Sequence, residues 1–379
     1  MRIFEEENSV PLFIATDDTG IIQHSVFSVP DPNSGYTTDD NSRALITAVM
    51  LYEKFKSKKY LKLLLTYSSF LLYAQNKKGT FKNFMDYNRN FIEEEGSQDC
   101  FGRCLWALGY TFKSESVPHS IKSAALTMIY RALPNINSLT NIKGKVYSLL
   151  GLNLIYKVLE RKNNSGVMKE PMDRYLNGIE ISKVNNVPVK NMEDLMNIAK
   201  SEIINICQYL IDSFKTHSEN SWHWFEDSLT YGNAILPCSL LRSGNILGNK
   251  YYLDIALESL NFLEKLCFAK GYFKPIGSNT WFKKGDSAPS EFDEQPIEAC
   301  GMCIMYTEAY KIFKNQKYLD KAYACYEWFC GKNSRNKILV DEFTHGSYDG
   351  IMKTHINLNE GAESILAKII TELTLDTLQ

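Results

Sequence analysis

No run of about 18 apolar residues occurs anywhere in this chain of 379 residues, so nothing in it has the length of a membrane-crossing helix. The richest stretch, Leu61 to Ala74, is broken by Lys62 and by Ser and Thr, and reads as a helix inside a core. Charge of one sign is also missing. The formal net charge is −2, the pI is near 6.3 and no dense Lys/Arg block stands out, which argues against a nucleic-acid partner. The first ten residues are acidic where a secretory leader would be basic and then apolar, so no membrane partner and a cytoplasmic location are expected. Zinc spacing is absent too. The nine cysteines lie mostly on apolar stretches, as Cys207, Cys238, Cys267 and Cys325 do, and read as reduced, buried thiols. Cys300 and Cys303 form a C-x-x-C, but with no second pair, no His pair and no βαβ pattern around them; neither a metal nor a cofactor is expected.

Low-complexity tracts and alternating strand patterns are scarce, and a 44% hydrophobic, 23% charged composition is that of an ordinary globular protein. From about Asp39 onward, helical periodicity recurs between Gly, Pro, Asn and Ser clusters, so the fold class is all-α. One kind of helix is apolar nearly all round and must be buried: Asn41 to Phe55, Gly102 to Tyr110, Val146 to Tyr156, Asn233 to Leu241, Pro296 to Tyr310 and Gly361 to Leu373. The other is amphipathic with Lys and Glu on one side: Lys58 to Gln75, Ser120 to Leu133, Met192 to Phe214, Lys250 to Ala269 and Gln316 to Phe329. Their alternation predicts an α/α barrel of antiparallel hairpins, buried helices inside and amphipathic ones outside, as one domain over 1–379. A sixth outer helix is missing and about the first 36 residues look irregular. Residues 161–190 read as a surface insertion, with a short hairpin at Ile179 to Val189.

Aromatic residues make up 12% of the chain, and many fall in the long loops that lead into the buried helices, whereas the opposite turns, Lys56 to Lys59 and Lys314 to Gln316, are short and basic. Long loops on one rim mark the functional face. Carboxylates and amides stand among these rings, a mixture suited to sugars: ring faces stack on pyranose C–H faces, and Asp, Glu, Asn and Gln take the hydroxyls. The first such loop offers Tyr36, Asp39, Asp40 and Asn41, where one acid suffices for a helix cap and the other is left for a ligand. The second offers Asp86, the run Glu93 to Glu95, Asp99 and Arg103. The fourth, Trp222-His223-Trp224-Phe225-Glu226-Asp227 with Tyr231 and Asn233, is the most specific signal, because two tryptophans, a phenylalanine and two acids exceed what a solvent loop needs. The fifth holds Trp281, Asp293, Gln295 and Glu298, and the sixth Asp349, Asn359 and Glu363; Glu298 and Glu363 open apolar helices, where an unpaired charge is costly. The third, Asn141 to Gly144, has no acid and is expected to give shape alone.

Taken in order, the stretches His24 to Pro30, Tyr36 to Arg43, Asn83 to Trp106, Trp222 to Pro237, Phe292 to Glu298 and Tyr348 to Ser364 resemble the six-hairpin glycosidase-like proteins with their (α/α)6 barrels. The nearest likeness is to a bacterial group often joined to, or described as, glycosyltransferases. The resemblance implies an oligosaccharide or polysaccharide partner, association with a glycosyltransferase, and functional acids at Asp39, Asp40, Asp99, Glu226, Asp227, Asp293 and Glu298. Gly232 departs from it, standing where Asp or Asn is expected, and Cys100 replaces a Ser-like residue. Glycoside cleavage needs an acid at the leaving oxygen and a second carboxylate acting on water or on the anomeric carbon. Glu226 or Asp227, beside rings that desolvate it, is the expected acid; Asp40 or Asp99, at helix N-termini, is the expected base, with inversion favoured. Two alternatives remain: a sugar epimerase or isomerase using His24, His223 or His345, and a non-catalytic glycan-binding accessory domain.

Overall fold

A computed structural model of the protein describes residues 3–164, 183–184, 187–189 and 191–378. In chain order its α-helices are α1 (Val10–Ile14), α2 (Thr38–Phe55), α3 (Lys58–Ala74), α4 (Gln98–Lys113), α5 (His119–Ala132), α6 (Ile142–Asn164), α7 (Met192–His217), α8 (Ile235–Leu247), α9 (Lys250–Cys267), α10 (Pro296–Phe313), α11 (Gln316–Glu327) and α12 (Ala362–Asp376). Strand is confined, among the described residues, to antiparallel pairs of two residues per strand: β1 (Ser25–Val26) with β2 (Val29–Pro30), β3 (Tyr36–Thr37) with β4 (Phe84–Met85), β5 (Lys183–Val184) with β6 (Val187–Pro188), β7 (Ser228–Leu229) with β8 (Phe282–Lys283), and β9 (Gly350–Ile351) with β10 (Ile356–Asn357). The β5–β6 pair falls inside the hairpin expected at 179–189; most of the expected insertion at 161–190 lies outside the described residues.

The helix ends follow local chemistry. Thr37, in extended conformation, caps α2 by accepting from Asp40 N; Ser97 caps α4 through Cys100 N, and Asn249 caps α9 through Tyr252 N. Pro296 sits in the first turn of α10, where its missing N–H costs no bond. The two short basic turns end α2 and α10 on left-handed lysines, Lys56 at φ 53° and Lys314 at φ 53°, each donating its N–H four residues back.

The chain divides into two compact units, one made of residues 18–21 and 35–208, the other of residues 1–17, 22–34 and 209–379. Within the first, α2 packs on α4 and α4 on α6, while α3 and α5 pack on each other and on their hairpin partners. The α4–α6 contact is set by glycine. A Cβ on Gly102 would meet the Gly144 carbonyl at 2.5 Å, and one on Gly109 the Gly151 carbonyl at 2.7 Å. Both pairs are spaced by seven residues, two helical turns, so the backbones touch along one stripe.

Within the second unit, α8 packs on α10 and α10 on α12, with α9 and α11 as hairpin partners of α8 and α10. Helix α12 also packs against α1, so the irregular N-terminal stretch contributes the helix that the sequence pattern lacked. Its five residues are too few to show periodicity. A buried ion pair, Lys368 to Glu372 at 2.8 Å, lies on α12, and Asn8 donates to the same carboxylate at 3.1 Å, pinning the segment before α1 to that helix. No helix among the described residues is long and apolar enough to cross a membrane.

Candidate functional site

In the first unit the candidates gather on the N-terminal turns of α2, α4 and α6. The β3–β4 pair draws the loop after α3 against the start of α2: Thr38 N donates to Asn83 O at 2.9 Å and Asp39 N to Asn83 Oδ1 at 3.1 Å. Glu93 holds that loop by accepting from Asn83 N (2.6 Å) and Phe84 N (2.8 Å), so one member of the acidic run is a clamp while Glu94 and Glu95 are exposed. Asp40 is buried and engaged, with Arg43 Nη1 at 2.5 Å and the Thr37 hydroxyl donating at 2.6 Å. Asp39 is the more open acid, its side chain one quarter exposed, with Arg103 Nε 3.7 Å from Oδ1. Asp99 is buried on the first turn of α4. Arg103 lays its guanidinium 4.1 Å above the Tyr147 ring, and Trp106 stacks on that tyrosine at 6.0 Å.

Three expectations change here. Asn41 is fully buried, its amide donating to Thr37 O (2.8 Å) and accepting from Ile21 N (3.0 Å), so that it ties a loop to α2. Asp86 shapes its own turn, accepting from Asn90 N at 2.8 Å. Tyr36 is buried beneath Tyr87, the two rings stacked at 6.0 Å and 11°, so the half-exposed Tyr87 takes the place expected of Tyr36. The sequence reading also missed Lys143. It is buried on the first turn of α6, the helix expected to give shape alone. A lysine at the head of an apolar helix is the sequence signal for it.

In the second unit the β7–β8 pair joins the Trp222 loop to the Trp281 loop, with Ser228 opposite Lys283 and Leu229 opposite Phe282. The tryptophans expected to meet sugar are largely packing groups. Trp224 is fully buried, with its ring against Phe225 and Phe262, and offers no face to a ligand. Trp222 lies against Phe262 and Phe282, both at 5.3 Å, and its indole N–H donates to Glu226 O at 2.9 Å, fixing the backbone of that acid. The more open pair is the exposed Tyr231 with the half-buried Trp281, centroids 6.3 Å apart. Trp281 holds φ at 64°, a left-handed conformation unusual for a bulky residue.

Glu226 is half-buried. Asp227 is two-thirds exposed, with His217 Nδ1 at 2.9 Å and Lys284 Nζ at 3.7 Å. The bond from His217, with the nearby cations, holds its carboxyl below the ordinary value, so Asp227 stays ionised and is set aside as a general acid. Asn233 closes its own turn, accepting from Thr230 N at 3.1 Å and donating to Thr230 O at 2.6 Å, so it too is a scaffold residue. Gly232 sits at φ 57°, a region that Gly and Asn adopt most easily. Its N–H donates to Glu298 Oε1 at 2.5 Å, giving that buried acid a partner.

Asp293 and Gln295 are half-buried before α10, and Gln295 is the residue at its cap. Between them Glu294, absent from the sequence reading, is fully buried. It accepts from the Trp328 indole at 2.9 Å and lies 3.4 Å from Lys274. Asp349 caps α12 from outside, accepting from Gly361 N (2.8 Å) and Ser364 Oγ (2.7 Å), and burial raises its pKa above the ordinary value. Asn359 accepts from Phe27 N at 2.9 Å, and Glu363 is half-buried on the first turn of α12. Of the three candidate histidines, His24 lies near enough to Asp349 to help lower its pKa; His223 is bound to Glu258 at 2.6 Å and His345 lies in a turn at φ 61°. No group of three or more His, Cys, Asp or Glu that could hold a metal occurs among the described residues.

No protein-family model and no curated protein matches the sequence. Solved structures do match its fold. A cellobiose 2-epimerase from Spirochaeta thermophila superimposes with a TM-score of 0.66 at 11% identity, over 97% of this chain and 94% of its own. The family 76 α-mannanase of Bacteroides thetaiotaomicron gives 0.60 at 12%, over 98% and 94%, and a D-mannose isomerase 0.63 at 12%, over 99% and 96%. The chain has the six-hairpin (α/α)6 barrel fold. At such identities the likeness is one of fold, and the chemistry has to be argued from the side chains.

Proposed function

We propose that this six-hairpin protein is a carbohydrate-active enzyme, a glycoside hydrolase that cleaves an oligosaccharide or polysaccharide with a pair of carboxylates. The observation that carries the reading is the repeated placement of acids on the first turns of successive buried helices. Asp39, Asp40 and Asp99 stand so in one unit, Glu298 and Glu363 in the other, with Glu226 in the loop before α8. The exposed Tyr231 and the half-buried Trp281 beside it add aromatic surface of the kind that meets sugar rings.

Glu226 is the proposed general acid: it is half-buried, next to the buried Phe225, and held by its backbone. Asp99, buried on the first turn of α4, is the candidate base carried by the first unit and is tested on its own. Asp40 is assigned to positioning, since Arg43 and Thr37 occupy its carboxylate. The proposed protein works in the cytoplasm. The test is a screen of manno- and gluco-oligosaccharides for released reducing ends, followed by Glu226→Gln and Asp99→Asn on the active substrate, with product stereochemistry read by proton NMR. Loss of turnover in both variants and an inverted anomer are expected; full turnover in either variant overturns its assignment.

A second reading, sugar epimerase or isomerase, is favoured by His24, which lies near enough to the half-buried Asp349 to help lower its pKa, and by the likeness in fold to a cellobiose 2-epimerase and a D-mannose isomerase. Interconversion of a free sugar without bond cleavage, abolished by His24→Ala, decides for it. Glycan binding without turnover of any substrate would instead support an accessory role beside a glycosyltransferase.

A further inference from the structure

Helix α4 carries Asp99 at its start and Lys113 at its end, about 21 Å further along the axis at 1.5 Å per residue. At that far end a cavity of about 190 Å³ opens between the ends of α4 and α6 and the start of α5. Phe112 and Val158 give it an apolar floor, and Lys113, Lys122, Arg161 and Lys162 surround it, with Glu115 as the single carboxylate in the lining. His119 and Ser123 complete the wall, the imidazole Nδ1 and the hydroxyl 3.4 Å apart.

Three of these cations have an ordinary explanation. Lys113, Arg161 and Lys162 lie in the last turns of α4 and α6, where positive charge complements the helix dipole. Lys122 does not. It lies near the N-terminus of α5, the positive end of that dipole, and no acid stands in the helix's first turn. Burial and the nearby Lys162 both press its pKa below the ordinary lysine value, and only Glu115 acts the other way. In a chain whose net charge is −2, this local excess of positive charge is a feature of the cavity and not of the whole surface.

We propose that this cavity binds a phosphoryl group carried by a small molecule, at a site separate from the acids on the first turns of α2 and α4. A phosphoryl dianion offers several equivalent oxygens to ammonium, guanidinium and imidazole donors at once, the Ser123 hydroxyl being donated to His119 O at 3.0 Å, and it relieves the repulsion between Lys122 and Lys162. The volume lies below the roughly 300 Å³ at which drug-sized pockets begin, so the cavity takes the phosphoryl group while its carrier extends outward. The inference stands whether or not the protein cleaves glycosides.

Isothermal titration of the full chain with inorganic phosphate, a hexose 6-phosphate and the unphosphorylated hexose, at matched ionic strength, tests it. Both phosphorylated probes should bind saturably and more weakly as sodium chloride is raised. The free hexose should leave the resonances of Lys122 and Ser123 unmoved. Lys122→Glu and Arg161→Glu should each weaken the phosphate by at least tenfold, and Lys250→Glu, on α9, should not. Because charge reversal can disturb the helix, Lys122→Met, of similar length, is measured beside it and should also weaken binding with an unchanged thermal midpoint. A tighter ester than free phosphate identifies a carried group, and equal affinities identify phosphate itself; both uphold the site. Absence of saturable binding, or equal weakening by Lys250→Glu, overturns it.

Discussion

Asp227 sits in water between His217 and Lys284, whereas Glu226, one residue earlier, is half-buried and follows the buried Phe225. Glu226 is the proposed acid and Asp227 a member of an exposed ion pair, so the two should respond differently to neutralisation. Glu226→Gln should lower kcat by about 10²- to 10⁴-fold, the usual weight of a positioned acid. Asp227→Asn should change it by less than about threefold, in keeping with an exposed ion pair. Initial rates on the substrate found by screening decide both. Two other acids part in the same way. Burial raises Asp349 above its ordinary value of 3.8, while backbone N–H bonds, that of Thr344 first, lower Asp341. Carboxyl carbon NMR should find their midpoints on opposite sides of that value. For stability the signs oppose: acidification through the raised pKa relieves the cost of burying the Asp349 charge, and the Asp341 contribution, present above its unfolded pKa, is lost only as pH falls through the lowered one. The sequence showed which residues were acids; their environments were hidden, because the partners are distant. Asn41 is engaged by Ile21, Glu93 by Asn83 and Glu298 by Gly232.

The long helices were legible because an apolar surface at the 3.6-residue period survives any detail of packing. Helix α1 was not, and neither were the caps: Thr37, rather than Asp39 or Asp40, closes α2, because its hydroxyl, two residues before Asp39, accepts Asp40 N. The glycine stripe between α4 and α6 makes a prediction at this scale. By helix propensity alone, Gly151→Ala would stabilise α6 by about 1 kcal/mol. A Cβ there would meet the Leu105 carbonyl at 2.4 Å, a backbone atom that cannot swing away. Overpacking of this kind costs about 1–3 kcal/mol, so the clash should win and the variant should lose stability in urea denaturation. An unchanged or raised midpoint would mean that α4 and α6 separate easily.

At the scale of the molecule, the all-α class and the hairpin order followed from patterning, and the fold agrees with solved sugar-acting enzymes at 11–12% identity. Patterning says which faces are buried; it is nearly silent on reaction type, because the same helices can carry hydrolysis or epimerisation. It did indicate reduced cysteines. All nine are free, eight of them buried, with Cys330 exposed. A native sample should therefore give one reactive thiol, and that one slowly near neutral pH, since partial desolvation raises the Cys330 pKa. The other eight should appear only with denaturant; two or more fast thiols in the native sample would show that the core opens readily.

Trp281 connects these scales. Its backbone is held where glycine would rest without penalty, and its half-buried side chain packs beside the exposed Tyr231. Conformations of this kind cost about 1–3 kcal/mol in a residue with a Cβ, so removing the ring should release tension in the loop. Trp281→Gly is thus expected to give a hardier protein that grips its sugar less well. Directed evolution for heat resistance alone would drift toward that substitution, and selection for turnover would restore the indole.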